Sequence, residues 1–155
     1  VLLSKAPKLP LKAYDDLGTF KLYTLDLGVL RKLSELDASI LLLPTPAYTE
    51  YKGALAENYI LQSLTAQFQM PFRYWTSGNK AEVDFLLQYI NQIYPIEVKA
   101  DQNIQGKSLI QYEKLFQPAC RIRYSMLNLK QDGNLLNIPL FLADKTRELL
   151  GVINV

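Results

Sequence analysis

Residues 49–70 constrain this chain more than any other stretch. Gly53, Glu57, Leu61, Leu64 and Phe68 recur there at spacings of three and four, which places them on one face of a helix. Pro71 follows and cannot continue that helix. Behind it come residues 72–76, 82–89 and 94–100, short runs with the composition and alternation of strands. The turn Ser77-Gly78-Asn79-Lys80 separates the first two, and a two- or four-residue loop at about 90–93 joins the second pair. Residues 107–116 read as a helix. Residues 120–129 and 135–142 read as a β-hairpin around Asp132-Gly133, and 144–150 as a last helix with Asp144 as N-cap. The order helix, three strands, helix, two strands, helix predicts an α/β fold, a mixed sheet flanked by helices.

The preceding residues read differently. Pro7 and Pro10 keep the opening extended. Asp15-Asp16-Leu17-Gly18 is a turn signal, residues 20–25 alternate like a strand, and 27–36 suit a short helix around Leu30 and Leu33. The apolar run 40–43 is strand-sized and ends at Pro44. Pro44-Thr45-Pro46 marks a boundary, so residues 1–45 are expected to form a short β-rich segment and 46–155 the main domain. The opening Val1-Leu2-Leu3-Ser4 lacks a methionine, which suggests a chain cut from something longer.

Composition removes several function classes. The chain has no histidine, so histidine triads and histidine-ligated zinc are impossible within it. Cys120 is its only cysteine, which excludes a disulfide framework and a cysteine metal site. The formal charge of +2 argues against bulk attraction to nucleic acid, although not against a local basic groove. No stretch is long and apolar enough to span a membrane, and Lys5 and Lys8 interrupt any signal-like opening. A cytoplasmic location is the expectation. Chemistry here must use carboxylates, Lys, Tyr, Ser or a hard metal held by oxygens.

The carboxylates form a pattern. Glu57 interrupts an apolar helix stripe, where an unpaired charge is costly. An ion pair to Arg73 or Lys99, or a place at the stripe's edge, would explain it; so would a metal. Strict alternation puts Val83, Phe85, Leu87 and Tyr89 on one face of their strand and Glu82, Asp84, Leu86 and Gln88 on the other. Ile96, Val98 and Ala100 oppose Glu97 and Lys99 in the same way. Pairing the two strands through a short loop brings Asp84 opposite Glu97 or Lys99. Asp84 and Glu97 then supply carboxylates for Mg²⁺, or Mn²⁺, and the Val98 carbonyl a neutral oxygen. Glu57 completes the site through a water or a second metal, and Lys99 orients a water or stabilises charge on a phosphate. Glu-x-Lys alone is a weak motif. Asp-x₁₂-Glu-x-Lys on a hairpin, behind a helix with an inward Glu, is far more specific; an exposed face of an edge hairpin is the bland alternative.

Lys52-Gly53-Ala54-Leu55-Ala56-Glu57-Asn58-Tyr59-Ile60, Tyr74-Trp75, Glu82-Val83-Asp84-Phe85, Pro95-Ile96-Glu97-Val98-Lys99 and Lys107-Ser108-Leu109 occur in this order. Together they resemble the DUF4143 domain at the C-terminal end of a large family of prokaryotic AAA-type ATPases. Residues 20–30 resemble the segment that precedes it. The resemblance implies a restriction-endonuclease-like, PD-(D/E)XK fold. It also implies a P-loop ATPase domain elsewhere in the parent chain and a winged-helix-like region ending near residue 45. Carried over by position, the PD-(D/E)XK motif falls on Glu57, Asp84, Glu97 and Lys99, with Val83 where a proline often stands.

Gly106-Lys107-Ser108 imitates the end of a P-loop, but Asp101 occupies the position of the required glycine, so ATP binding by this chain is not expected. Lys107 and Gln111 are candidate contacts to a DNA phosphate. Arg121 and Arg123 alternate along a strand face, as an exposed strip or as further phosphate contacts. The ten tyrosines and Trp75 recur at strand positions and read as core rather than as base-stacking residues. The expected function is a Mg²⁺-dependent DNA nuclease-like domain. The alternatives are a silent DNA- or protein-binding module that regulates the ATPase, and a purely structural interaction domain.

Overall fold

The computed structural model describes residues 1–35, 37, 45–78, 80–100 and 106–153. The apolar run 40–43, Pro44, Asn79 of the predicted turn and Asp101 lie outside them. So does Leu36, at the end of the first predicted helix.

The longest element is the helix α2, Pro46–Phe68. It starts three residues earlier than the apolar spacing predicts, because Thr45 caps it: its hydroxyl accepts the Tyr48 N–H at 3.2 Å, and Pro46 suits the first turn. It ends where Gln69 turns left-handed, at φ 50°. Ile60 and Leu64 are its fully buried apolar side chains, while Glu57 sits half-buried at the margin of that face.

Eight strands form a mixed sheet in the order β2-β1-β3-β4-β5-β6-β8-β7. They are β1 Leu2–Ser4, β2 Asp15–Phe20, β3 Arg73–Thr76, β4 Glu82–Tyr89, β5 Gln92–Val98, β6 Arg121–Ser125, β7 Lys130–Asp132 and β8 Leu135–Pro139. Helix α1 spans Leu27–Leu33, α3 Lys107–Phe116 and α4 Thr146–Ile153. The α/β class with a mixed sheet flanked by helices is therefore the observed architecture. One core joins Ile60 and Leu64 of α2 to Phe85, Leu87, Tyr94, Ile96, Ile122, Tyr124 and Ile138. The other joins Leu109 and Tyr112 of α3 to Leu11, Trp75, Val83 and Leu86.

β4 and β5 pair antiparallel through Ile90 and Asn91, with Tyr89 opposite Gln92 and Phe85 opposite Ile96. Both loop residues have positive φ, 46° and 56°, the signature of a tight two-residue hairpin turn. β5 thus begins two residues earlier than predicted and ends at Val98.

Strict alternation along β4 fails at one place. The β3–β4 register shifts between Arg73 and Trp75, so β4 carries one extra residue against β3. Val83 consequently joins the α3-side core, while Phe85 and Leu87 join the α2-side core. Asp84 lies between them, at the bulge.

Four other readings change. Residues 15–18, read as a turn, belong to strand β2, because a register shift between Leu2 and Leu3 absorbs residues 17–19. The Gly18 N–H still bonds Asp16 Oδ1 at 3.0 Å, a turn contact retained inside a strand. Of residues 20–25, read as strand, Phe20 ends β2 and 21–25 run irregularly toward α1. The predicted hairpin between residues 120–129 and 135–142 is a parallel β6/β8 pair, with the short β7 folding back on the outer edge of β8. Asn137 holds this connection: it accepts the Ser125 hydroxyl at 2.8 Å and donates to Asn128 O at 3.0 Å. Finally, Asp144 is not an N-cap; it lies within a 3₁₀ turn, Leu140–Lys145, that leads into α4.

Candidate functional site

Glu57 comes from α2, Asp84 from β4 and Glu97 from β5, with Lys99 one residue past the end of β5. Continuing the β4–β5 register by one position sets Asp84 opposite Glu97. Asp84 Oδ2 accepts the Val98 N–H at 2.7 Å. It is thus the amide of Val98 that touches Asp84. Glu97 is buried, at 2 % exposure, and its Oε1 lies 3.0 Å from Lys99 Nζ. Its other oxygen, Oε2, is buried without a hydrogen-bond partner among the described residues.

Asp84 responds more strongly to Glu57 than to Glu97. Burial and then the charge of Glu57 push its carboxyl up from an ordinary 3.8 to about 7, against the Val98 hydrogen bond and the charge of Lys21; Glu97 contributes least. The bulge accounts for this order, because it breaks the alternation that would have held Asp84 on the face of Glu97 and Lys99.

The two ion-pair partners foreseen for Glu57 are engaged elsewhere. Arg73 makes a two-pronged pair with Asp15, at 2.8 and 2.9 Å, and Lys99 pairs with Glu97. Glu57 Oε2 instead accepts the Tyr23 hydroxyl at 3.1 Å. Burial, with the charge and bond of Glu57, raises the Tyr23 phenol, which keeps it a donor. The Tyr23 ring also packs on Phe85 at 5.6 Å between centroids. Next along α2, buried Asn58 accepts the Thr24 N–H at 2.9 Å and donates to Thr24 O at 3.3 Å. Glu57 and Asn58 therefore hold Tyr23 and Thr24, two neighbours on two neighbours.

Lys21 belongs to the same group. Its ammonium pairs with Glu82 and lies 5.0 Å from the centre of the Tyr74 ring. Burial alone would lower its pKa, but the bond to Glu82 and the charges of Glu82, Glu57 and Asp84 hold it above the ordinary lysine value. Sequence reasoning missed Lys21, Tyr23 and Glu82 as members of the cluster. Lys21 and Tyr23 sit two apart in a segment read as strand, and that spacing was the available signal.

A cleft of about 650 Å³ opens beside Glu57, lined also by Lys21, Tyr23, Thr24 and Leu30. A depression of about 810 Å³ against Gly28, Arg31, Lys32, Glu35 and Asp37 shares no lining residue with the carboxylates.

The remaining candidates come from α3 and β6, where Arg123 stands opposite Glu97 in the parallel β5–β6 pair. Lys107 is exposed at the start of α3, and Gln111 is half-buried one turn on. Arg121 is buried rather than on an exposed strip, since β6 is an interior strand. It pairs with Glu113 of α3 at 2.9 Å and bonds Asn134 Oδ1 at 2.7 Å. Arg123 is half-buried, with Nε donating to Asn137 Oδ1 at 2.9 Å.

The donor chemistry suits a hard cation: oxygen ligands, one of them an orphaned buried carboxylate oxygen. The geometry is less complete. Among the described residues, no three Asp, Glu or Cys side chains gather closely enough to hold a metal ion.

Residues 52–141 match the family model described as a domain of unknown function, DUF4143. This chain belongs to the DUF4143 family. The DUF4143 match covers Glu57, Asp84, Glu97 and Lys99, whereas Lys21 and Tyr23 precede it. No curated protein and no solved structure matches the chain. No described helix of this DUF4143 protein is long and apolar enough to cross a membrane.

Proposed function

We propose that this chain is a PD-(D/E)XK, restriction-endonuclease-like domain that hydrolyses DNA phosphodiesters with Mg²⁺ or Mn²⁺. Its parent would carry an AAA-type ATPase domain and work in the cytoplasm. The observation that carries this reading is a pair of buried carboxyls on adjacent strands: Asp84 lies in the field of Glu57, and Glu97 keeps Oε2 buried without a hydrogen-bond partner among the described residues. The run α2-β3-β4-β5-α3-β6, with Asp84 and Glu97 on adjacent strands, supports the finer fold.

Asp84, Glu97, the Val98 carbonyl and Glu57 are the groups that would hold the cation. Bound there, it would polarise a phosphodiester and acidify a water. Tyr23 orients Glu57 through its hydroxyl, and Lys99 keeps an ammonium beside Glu97, where charge on a phosphate would develop. Lys107 and Gln111 stand at the start of α3 as phosphate contacts.

A second reading is a catalytically silent module that binds DNA or the ATPase and regulates it. The absence of a three-carboxylate group among the described residues favours it. Incubation of plasmid, linear and single-stranded DNA with protein and Mn²⁺ separates the two. Cleavage lost in both Asp84→Ala and Lys99→Ala supports the nuclease; no cleavage of any form, with binding intact in Asp84→Ala, supports the silent module.

A further inference from the structure

Three rings meet on the α3 side of the sheet. Tyr112 and Phe116 stand one turn apart on α3 with centroids 4.8 Å apart, and the Trp75 ring meets each of them edge-on at 5.3 Å. Tyr112 is only 1 % exposed. Burial alone raises its phenol, with no hydrogen bond from a described residue acting on it. A hydroxyl taken out of water without a partner is costly, and such groups call for an explanation. This one is not sealed in, since it is absent from the atoms cut off from both solvent and partners among the described residues. Its outlet is a pocket of about 340 Å³ that Tyr112 and Phe116 line together with Pro7, Leu9 and Pro118. That volume is at the small end of ligand pockets.

The pocket is built in advance. Pro7 and Leu9 belong to the opening segment, outside the DUF4143 match, and that segment is pinned. The Leu11 N–H donates to Gln88 Oε1 at 2.9 Å, and the Lys5 N–H to Tyr14 O at 2.8 Å. Leu11 itself is fully buried in the core that holds Trp75 and Tyr112. Among the described residues, Lys8 is the one charged residue on the lining, and it is exposed. No carboxylate lines the pocket, so its charge favours an anion over a cation.

We propose that this pocket binds a small aryl carboxylate. The ring lies against Tyr112, Phe116 and the two prolines. The carboxylate accepts the Tyr112 O–H, which gives the buried phenol its missing partner, and the Lys8 ammonium adds attraction at the rim. A volume this small holds a ring with a short acidic tail rather than a length of peptide. The site is independent of the metal-dependent reading, because it shares no lining residue with the cleft beside Glu57.

Titration of the whole chain with phenylacetate, phenethylamine and phenethyl alcohol, followed by NMR at the amides of Ile93, Phe116 and Ala119, tests this. Phenylacetate at millimolar concentration is expected to give saturable shifts there, and the amine the weakest. Tyr112→Phe should bind phenylacetate about tenfold more weakly, the loss of one hydrogen bond to a charged group. Lys8→Met should weaken it by about threefold, as an exposed charge does. Tyr112→Phe should also melt no lower than wild type, because the hydroxyl it removes has no partner in the fold. No saturable shift with any probe overturns the pocket. The amine binding as well as the acid overturns the assigned ligand. Unchanged affinity in Tyr112→Phe, or a lower melting temperature for it, overturns the role of the hydroxyl.

Discussion

Asp84 Oδ2 accepts the Val98 N–H at 2.7 Å, yet its carboxyl still titrates near 7. One hydrogen bond to the charged form does not offset burial and the facing charge of Glu57. Between about pH 4 and 7 the folded chain therefore holds a proton at Asp84 that the unfolded chain has lost. Stability falls as pH rises through that interval and levels off above it. Urea unfolding of wild type and Asp84→Asn across that range checks this. The variant should lose this downward slope and be the more stable protein at pH 8; parallel pH profiles would sink the assignment.

Arg73 and Asp15 pair in the opposite sense. The Arg73 hydrogen bonds hold the Asp15 carboxyl below its ordinary value, and both side chains are nearly buried. This contribution is present above the ordinary carboxylate pKa and is lost as pH falls below it. Arg73→Met leaves the nearly buried Asp15 of β2 without its cation and should cost about 3–5 kcal/mol. The double variant Arg73→Met/Asp15→Leu should recover much of that loss. If the double variant is no better than the single one, the pair is not what makes Arg73 necessary.

Asn58 is the clamp on the segment that carries Lys21 and Tyr23. Asn58→Ala leaves the Thr24 N–H without its acceptor, at a cost of about 1–3 kcal/mol. Amide exchange at Thr24 should speed up by more than exchange in the β4–β5 hairpin. Uniform acceleration across both would mean only global destabilisation.

Ile90 occupies a left-handed position that a β-branched residue adopts only under strain. Ile90→Asn should relieve it and stabilise the protein by about 1 kcal/mol, since Ile90 is exposed and gives up little burial. A lower melting temperature for this variant would show that the Ile90 side chain packs usefully after all.

Where local rules hold, the sequence reading and the structure coincide. β4 at Glu82–Tyr89 and α3 at Lys107–Phe116 have the predicted ends, because period and chain breakers act within a few residues. The register of Asp84 against Glu97 follows from a two-residue turn and strict β pairing. The failures are non-local. The β4 bulge depends on how β3 packs, and the parallel β6–β8 pair needs a connection that Asn137 ties down through Ser125 and Asn128.

Periodicity and spacing, which belong to the chain alone, already imply an α/β protein of the DUF4143 kind with carboxylates on adjacent strands. Which charges meet depends on the packing of remote segments. Glu57 bonds Tyr23 rather than Arg73 or Lys99, Asp84 answers to Glu57 more than to Glu97, and Lys21 enters the cluster from 61 residues before its partner Glu82. Ion-pair choice is settled by distance and burial, and these exist only once remote segments have packed together.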